Sequence, residues 1–321
     1  MKARLLKVKY SLLLLLFMGL GTRAQDFAKV DNIVKAYPKS YTDLDKLAGQ
    51  INRDFKREDE KARAIYTYIA TTVKYDNSPA ALGRKPIKYS YKTEAEKKAK
   101  VAAIENDLAL QTLRTKKGVC HGYAMLYMIL AEKTGLESEV VRGNAKALPT
   151  DIGKMPTNSN HAWNAVKVNG QWKLIDVTWG AGGINGNAGT FAFRFDDNFF
   201  FTNPDAFFLN HYPDDKKWLL TNKSATEFAS LPLYYDLGYE LQSPSAGVIS
   251  SVNKGLVPFK IKGVKASDTV AYQYTSGAYS HKVTPKITNG VGEFHVLLDN
   301  AAKGTLTLFI NGKSVGAYKI N

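Results

Sequence analysis

Cysteine is nearly absent from this sequence of 321 residues, which contains a single one, Cys120. One thiol cannot form an internal disulfide, so the chain is not a small domain stabilised by disulfide bonds. Cys120 is therefore either a small buried apolar group or a reactive thiol. The five histidines lack the spacing of a metal site, and the glycine-rich segments lack the ending of a phosphate-binding loop. We therefore expect no metal ion and no other cofactor.

Long apolar runs are also scarce, and the longest one lies within residues 1–24. This segment begins with basic residues, continues with an apolar run at 12–20 and ends with two small residues, Thr22 and Ala24. The pattern is typical of a signal peptide cleaved before Gln25. The run is too short to span a bilayer, which requires roughly 18 to 20 apolar residues, and no later stretch reaches that length. We therefore expect a secreted or periplasmic protein without a membrane span and, because no cysteine follows the cleavage point closely, without a lipid anchor.

The positive charge of the chain is not concentrated in one region. Lysine and arginine number 44 against 29 aspartates and glutamates, which gives a formal net charge of +15. The basic residues are spread along the chain and do not form a stripe with interleaved aromatic residues, as a nucleic-acid surface would. We therefore expect no nucleic-acid partner, whereas an anionic component of the cell envelope is compatible with the charge.

Apolar residues at helical spacing characterise the first part of the chain. Residues 43–55 and 57–73 both show this spacing, and acidic residues stand near the start of the second segment, so we predict two helices. Residues 76–100 are polar and rich in lysine. We interpret them as an insertion, with the charge run EAEKKAK as a solvated surface.

The pattern of apolar and polar residues changes beyond about residue 236. Short apolar runs then alternate with Gly, Ser, Asn and Lys: GVISSV, LVPFKI, TVAYQYT, GEFHVLL, GTLTLFI and SVGAYKI. This alternation, with INGKS as a hairpin turn, predicts the strands of a small β-sandwich. We therefore predict a signal peptide at 1–24, a catalytic domain with N-terminal helices at 25–236 and an immunoglobulin-like β-sandwich domain at 240–321.

Cys120 stands at the start of a predicted helix. The segment CHGYAMLYMILAEKTG follows a basic turn and is apolar nearly all round until Gly135, which predicts a buried helix. The exposed N–H groups and the positive dipole end of a helix stabilise a thiolate, which is the nucleophilic form of cysteine. An inert core cysteine would fit more naturally in the interior of the helix.

A β-hairpin is predicted in the stretch NHAWNAVKVNGQWKLIDVTWG, because Asn-Gly at 169–170 is the strongest short-range hairpin signal. With these two residues at the centre of the turn, His161 lies opposite Thr178. Trp163 lies opposite Asp176. His161 and Asp176 therefore point to the same face, one diagonal apart and within reach of a side-chain hydrogen bond. A register slip of one residue would separate them onto opposite faces.

The three residues Cys120, His161 and Asp176 can serve as nucleophile, base and orienting acid. His161 would take the proton of Cys120, and Asp176 would hold the imidazole in the useful tautomer and stabilise its charged form. A structural role is the alternative for each residue taken alone. Because the predicted positions of all three residues are compatible with one site, a joint catalytic role is favoured over three separate structural roles.

The motifs GVCHGYA, HAWNAV and WKLIDVTWGAG, in this order and spacing, resemble the transglutaminase-like superfamily of papain-type cysteine enzymes. With LQTLRTKKGVCHGYAMLY upstream and FFFTNPDAFFLNHYPDDKKWLL downstream, the pattern over residues 60–222 is similar to the branch of kyphoscoliosis peptidase and cytokinesis proteins. The resemblance implies an α+β fold with a papain/transglutaminase-like core of helices packed on an antiparallel sheet. It also implies that Cys120 is the nucleophile, His161 the base and Asp176 the orienting acid. His211 fits the downstream pattern but has no chemical role in this interpretation.

Two hydrogen-bond donors are needed for the oxyanion of an acyl-transfer intermediate. The backbone N–H of Cys120 is one natural donor. Gln111 is a candidate for the second, because a side-chain amide upstream of the nucleophile fills this role in papain-type sites. The alternative for Gln111 is an ordinary residue on a helix surface.

The sequence therefore predicts an exported cysteine enzyme that attacks amide bonds of a protein or peptide substrate through an acyl-enzyme. Water as the acceptor makes it a peptidase or amidase, and a lysine amine makes it a protein-crosslinking transglutaminase. We expect hydrolysis, because transfer needs a site that excludes water and captures a second substrate, and the sequence identifies none. A non-catalytic scaffold that binds partners in the cell envelope is the third hypothesis.

Overall fold

The computed structural model describes most of the chain: residues 27–83, 88–184, 189–250, 255–277, 279–298 and 304–321. The predicted signal peptide and its cleavage point lie outside these residues. Within the described residues, no helix is both long enough and apolar enough to cross a membrane.

Nine α-helices are present in the described residues: α1 (Ala28–Lys35), α2 (Leu44–Asp54), α3 (Glu58–Thr72), α4 (Pro79–Leu82), α5 (Glu94–Thr115), α6 (Cys120–Lys133), α7 (Val177–Ala181), α8 (Pro204–Phe208) and α9 (Ala225–Ser230). Helices α2 and α3 lie where the sequence predicts them. The EAEKKAK run forms the first two turns of α5 and is exposed or half-buried, as expected of a solvated surface, and the interpretation of residues 76–100 as an insertion stays a prediction. The Thr93 hydroxyl caps this helix by accepting from the backbone N–H of Glu96.

The strands of the first part of the chain are β1 (Lys74–Tyr75), β2 (Lys117–Gly118), β3 (Ser138–Ala145), β4 (His161–Val168), β5 (Gln171–Ile175), β6 (Gly182–Ile184), β7 (Phe191–Phe193), β8 (Phe200–Thr202) and β9 (His211–Pro213). Those of the second part are β10 (Leu233–Tyr234), β11 (Glu240–Ser243), β12 (Val248–Ile249), β13 (Gly255–Lys262), β14 (Val270–Tyr274), β15 (His281–Val283), β16 (Lys286–Thr288), β17 (Val291–Leu298), β18 (Gly304–Ile310) and β19 (Lys313–Ile320).

A five-stranded sheet in the order β8-β5-β4-β3-β9 forms the centre of the first part. Every neighbouring pair of its strands is antiparallel. Helix α6 packs on one face of this sheet and is itself contacted by α2, α3 and α5. The fold is therefore α+β with helices packed on an antiparallel sheet, as predicted.

Helix α6 is deeply buried in this core. Residues 122–131 are all buried, and burial of each large apolar side chain contributes about 1.5 to 3 kcal/mol. Two tyrosine hydroxyls fix the helix to its neighbours: Tyr123 donates to the carbonyl oxygen of Val73 and Tyr127 to that of Ala62. The first residue of α6 is Cys120, so the thiol stands on a rigidly held element.

The β4–β5 hairpin has the predicted register. Asn169 and Gly170 both have positive φ angles, 50° and 76°, as the two central residues of a type I′ hairpin turn require. Val168 pairs with Gln171 and Asn164 with Ile175. The second strand is shorter than the alternating pattern suggests. It ends at Ile175 because the next residue caps α7.

The C-terminal part contains two antiparallel sheets, β10-β19-β18-β14-β15 and β11-β13-β17-β16, with β12 added beside β19 in parallel. Both sheets contribute to one buried cluster, in which the ring centroids of Phe259 on β13 and Tyr318 on β19 lie 5.2 Å apart. Each of the six apolar runs contributes a strand, and the turn predicted at INGKS joins β18 to β19. Strand β10 belongs to the first of these two sheets, although it precedes the predicted domain boundary at 236–240. The position of this domain boundary stays a prediction.

Packed and hydrogen-bonded contacts link the first part of the chain to the C-terminal sheets. Ile152, which lies just after a 3₁₀ helix at Pro149–Asp151, is buried against Leu233 and Ala317. The Asn210 side chain exchanges hydrogen bonds with the backbone of Tyr234. The two parts therefore share packed and hydrogen-bonded contacts.

Candidate active site

Cys120 is partly exposed and lies at the point where β2 passes into α6. Strand β2 is held by parallel pairing with β1, in which Tyr75 is the partner of Gly118. The glycine that follows the cysteine in the motif allows close helix packing, because a Cβ atom on Gly122 would lie 2.8 Å from the hydroxyl oxygen of Thr112 on α5. The CHG motif therefore places the thiol at a tightly packed helix start.

The thiol of Cys120 interacts with His161 and with the backbone N–H of Ala162. Burial alone raises the pKa of this thiol. The hydrogen bond and charge of His161, together with the Ala162 N–H, outweigh burial and hold the pKa below its ordinary value. The site therefore favours the thiolate, as a nucleophile requires.

His161 is the first residue of β4, and its Nε2 atom lies 2.7 Å from Oδ2 of Asp176. This contact leaves the other ring nitrogen for the thiol. Burial lowers the pKa of His161, whereas the charge and hydrogen bond of Asp176 and the contact with Cys120 raise it to about 10. The imidazole is therefore charged at neutral pH.

Asp176 is fully buried and forms the N-cap of α7. Its Oδ1 atom accepts a hydrogen bond from the backbone N–H of Trp179, at 3.0 Å. Burial raises the pKa of this carboxyl, but the charge and hydrogen bond of His161 and the hydrogen bond of His211 hold it well below its usual range. Asp176 thus stays ionised beside His161.

His211 on β9 is the residue that the sequence analysis left without a role. Its Nε2 atom lies 3.0 Å from Oδ2 of Asp176, and the residue is buried. Its ring stacks on Phe207, with centroids 4.0 Å apart, and lies 4.6 Å from the ring centroid of Trp179. Its only signal in the sequence is the fit to the downstream pattern, because His211 stands on a different strand, far along the chain from the β4–β5 hairpin.

Comparison with known proteins identifies the part of the chain that carries this site. Residues 45–177 match the sequence profile of the transglutaminase-like superfamily. This segment is a transglutaminase-like domain.

The chain is similar to curated proteins that are longer than itself. It is 28% identical to kyphoscoliosis peptidase of Homo sapiens over 236 residues, which cover 71% of this chain and 33% of that protein. It is 26% identical to hillarin of Drosophila melanogaster over 247 residues, 70% of this chain and 27% of that protein. The chain thus spans about a third or less of the length of these relatives. A solved structure described as a TGase is 19% identical and covers 57% of this chain and 40% of its own, with a TM-score of 0.29.

The transglutaminase-like domain brings Cys120, His161 and Asp176 together, as the hairpin register predicts for the last two. Their contacts are observed, and their catalytic roles stay a prediction. Gln111 lies at an exposed position of α5, and its assignment as an oxyanion donor also stays a prediction. Tyr75 was not singled out from the sequence. Burial and then the charges of Cys120 and Asp176 raise the pKa of Tyr75 to about 12, which places its hydroxyl in the electrostatic field of the site.

The ligand atoms of His161, Asp176 and His211 lie within 4.8 Å of one another, close enough to bind one metal ion. Both histidines direct Nε2 at the same carboxylate oxygen, at hydrogen-bonding distance. An ion at this point would have to displace both hydrogen bonds. The arrangement suits proton handling better than metal ligation.

Proposed function

We propose that this protein is a cysteine enzyme that cleaves amide bonds of a protein or peptide substrate through an acyl-enzyme, as a peptidase or amidase. The observation that carries the proposal is the line of contacts from Cys120 through His161 to a buried, ionised Asp176. A structural cysteine needs neither a charged imidazole nor a carboxylate behind it. The match to the transglutaminase-like superfamily supports the same chemistry.

Acylation begins with attack of the Cys120 thiolate on the substrate carbonyl carbon, which forms the C–S bond and a tetrahedral oxyanion. The backbone N–H of Cys120 is suited to donate to this oxyanion, and Gln111 and the Tyr75 hydroxyl are the candidates for a second donor. The charged His161 then gives its proton to the leaving nitrogen as the C–N bond breaks. Asp176 stabilises the imidazolium before transfer and keeps its Nε2–H directed away from the thiol.

Deacylation uses the same residues in the opposite direction. His161, now neutral, takes a proton from the acceptor as it attacks the thioester, and the C–S bond breaks to release Cys120. A water molecule yields a carboxylic acid, and a lysine amine yields an isopeptide crosslink. We favour water, because partial exposure of Cys120 leaves the acyl group open to solvent.

The acceptor can be tested directly by mass spectrometry. The protein is incubated with a mixture of peptides and a separate lysine-containing peptide, beside a C120S variant as the matched control. Hydrolysis predicts products that depend on Cys120: new peptide termini for a peptidase, or deamidated side chains for an amidase. Transfer predicts crosslinked peptides with loss of ammonia. A folded protein that gives neither product, and that still binds peptides, would support the non-catalytic scaffold instead.

We also propose that the protein acts outside the cytoplasm, in the periplasm or after secretion, on a component of the cell envelope. The basic and apolar pattern of residues 1–24 supports export. The chain from Gln25 onward keeps a net charge of +10, which is 15 minus the five basic residues of 1–24, and this charge suits an anionic surrounding. The intact mass of the protein recovered from the cell exterior tests this proposal. A chain that begins at Gln25 is expected, and a chain that retains Met1 would contradict export by this route.

A further inference from the structure

Two histidines converge on one oxygen atom of a buried carboxylate. Nε2 of His161 lies 2.7 Å and Nε2 of His211 lies 3.0 Å from Oδ2 of Asp176. The second oxygen, Oδ1, accepts from the backbone N–H of Trp179. Asp176 has no exposed surface, so these protein donors take the place that water would occupy around an exposed carboxylate.

The position of the proton on His211 follows from the chemistry of its partner. An ionised carboxylate only accepts hydrogen bonds, so a ring nitrogen 3.0 Å from it must carry hydrogen. Nε2 of His211 is therefore protonated. Nδ1 of the same ring lies 3.3 Å from the carbonyl oxygen of Phe207, which is the longer of its two polar contacts.

His211 is held in place by contacts on several sides. Strand β9 pairs with β3, where Ala145 is the partner of His211, and the ring stacks on Phe207 at an interplanar angle of 18°. The preceding residue, Asn210, is fixed through its side chain to both the N–H and the carbonyl oxygen of Tyr234. His211 is therefore preorganised as a donor and needs no rearrangement to reach Asp176.

Sharing one oxygen has an electrostatic consequence for His161. The ring centroids of the two histidines lie 5.6 Å apart, so the positive end of the His211 N–H dipole faces both the carboxylate and the imidazolium. The dipole stabilises the negative charge of Asp176 and weakens the hold of that charge on His161. Four other titratable groups experience the charge of Asp176, which adds to burial in raising their pKa: the Cys120 thiol and the hydroxyls of Tyr66, Tyr75 and Tyr123.

We propose that His211 is a positioning residue that shares the Asp176 carboxylate with His161, fixing Oδ2 opposite the imidazole and limiting the negative charge that His161 experiences. Limiting this charge matters because His161 must release its proton to the leaving nitrogen. Burial and the charge of His161 lower the pKa of His211, against the hydrogen bonds to Asp176 and to the Phe207 carbonyl oxygen, which raise it, so the net shift disfavours a second full charge beside His161. The proposal extends the proposed function, since it concerns how His161 acts.

The test is the NMR spectrum of the full-length protein labelled with ¹⁵N-histidine. Two downfield ring N–H protons are expected, one from His161 and one from His211, and D176N should shift both upfield together. In H211L the signal of His211 is lost and that of His161 moves further downfield, because its acceptor is no longer shared. In H211Q, whose amide nitrogen can occupy the place of Nε2, the signal of His161 should return to its original position.

Controls separate this role from simple packing. F207L removes the stacked ring without touching a donor, and it should lower thermal stability while leaving the His161 proton unmoved. Alkylation of Cys120 by iodoacetamide at pH 6 should keep its rate or increase in H211L, whereas a merely structural role predicts a fall that follows the loss of stability.

An unchanged His161 signal in folded H211L would overturn the proposal. If H211L does not fold, D176N provides the test. A His211 ring N–H signal that does not shift in D176N would also overturn the proposal. Failure of the proposed function gives a different result: the two signals respond as expected, but native Cys120 does not react at pH 6 in the unsubstituted protein.

Discussion

Two buried carboxylates in the first part of the chain are held in different ways. Asp31 on α1 accepts two hydrogen bonds from the Arg63 guanidinium, at 2.7 and 2.6 Å, and one from the hydroxyl of Thr67. Asp176 is held by two imidazoles and a backbone N–H. A guanidinium is charged at every accessible pH, whereas an imidazole gains and loses its proton near neutrality.

The contrast separates a structural ion pair from the pair to which we assign proton transfer. Arg63 also reaches Asp197, and aromatic rings surround its guanidinium, so the cluster anchors α1 to α3 and to the segment before β8. No group in this cluster can transfer a proton at neutral pH. The Asp176 cluster can, and it adjoins the single thiol of the chain. Burial of a carboxylate alone therefore does not distinguish the two roles, but the chemistry of its donors does.

The largest expected effect of breaking either cluster is on turnover. D176N removes the charge behind His161 and favours the wrong imidazole tautomer, so amide turnover should fall by roughly 10² to 10⁴-fold. Circular dichroism should show an intact fold, and Cys120 should stay accessible to alkylation. The matched substitution D31N should leave the turnover of the folded protein unchanged. Equal losses of turnover in both variants would contradict the distinction.

The next largest effect is on stability. D31N removes one of the two carboxylates that pair with the buried Arg63 guanidinium and leaves the more exposed Asp197 as the other. Removal of one partner of a buried pair costs about 3 kcal/mol of unfolding free energy. Denaturant unfolding measures this loss. The control is D43N, at an exposed helix cap where asparagine is an equally good capping residue, so its midpoint should move little. If the unfolding midpoint of D31N moved as little as that of D43N, the cluster would not anchor α1.

The smallest effect is a slope of stability with pH. The pKa of His161 is raised in the folded chain to about 10, above an unfolded value of about 6.5. The folded state therefore binds more protons between these values, and stability contributed by His161 is complete below pH 6.5 and lost as pH rises towards 10. The Cys120 thiol contributes the opposite change up to about pH 8.5, because its pKa is lowered in the folded chain and the unfolded thiol keeps its proton to about that pH. The net decline is therefore expected above about pH 8.5, and thermal unfolding between about pH 8.5 and 10 should show it in the unsubstituted protein and in D31N, with a flatter profile in H161Q. A decline of the same size in H161Q would assign the slope to other groups.

Local signals in the sequence predict much of this molecule because several of its features are decided by near neighbours. The Asn169-Gly170 turn sets the hairpin register and hence the approach of His161 to Asp176. Gly135, with φ of 87°, ends the helix that begins at Cys120. The alternating runs after residue 241 become the strands of the two C-terminal sheets.

Features decided by distant contacts could not be predicted in the same way. His211 reaches Asp176 only through the pairing of β9 with β3, and no short-range periodicity encodes that pairing. The sequence does not predict the start of helix α5, because its first turns are charged and largely exposed and carry no apolar stripe. The alternating pattern predicts a second hairpin strand that is longer than the observed one. Asp176 caps α7 and so ends the strand, although the alternating pattern continues beyond it.

The central claim is that Cys120 is a nucleophile activated by His161, and the pH dependence of its alkylation tests this claim most directly. Free cysteine has a pKa of about 8.5, whereas the pKa of the Cys120 thiol is lowered by its contacts with His161 despite burial. Iodoacetamide should therefore alkylate native Cys120 rapidly at pH 6, and H161A should move the profile up towards the free value. Alkylation that occurs only after unfolding, at any pH and with no response to H161A, would show instead that Cys120 is a structural core residue.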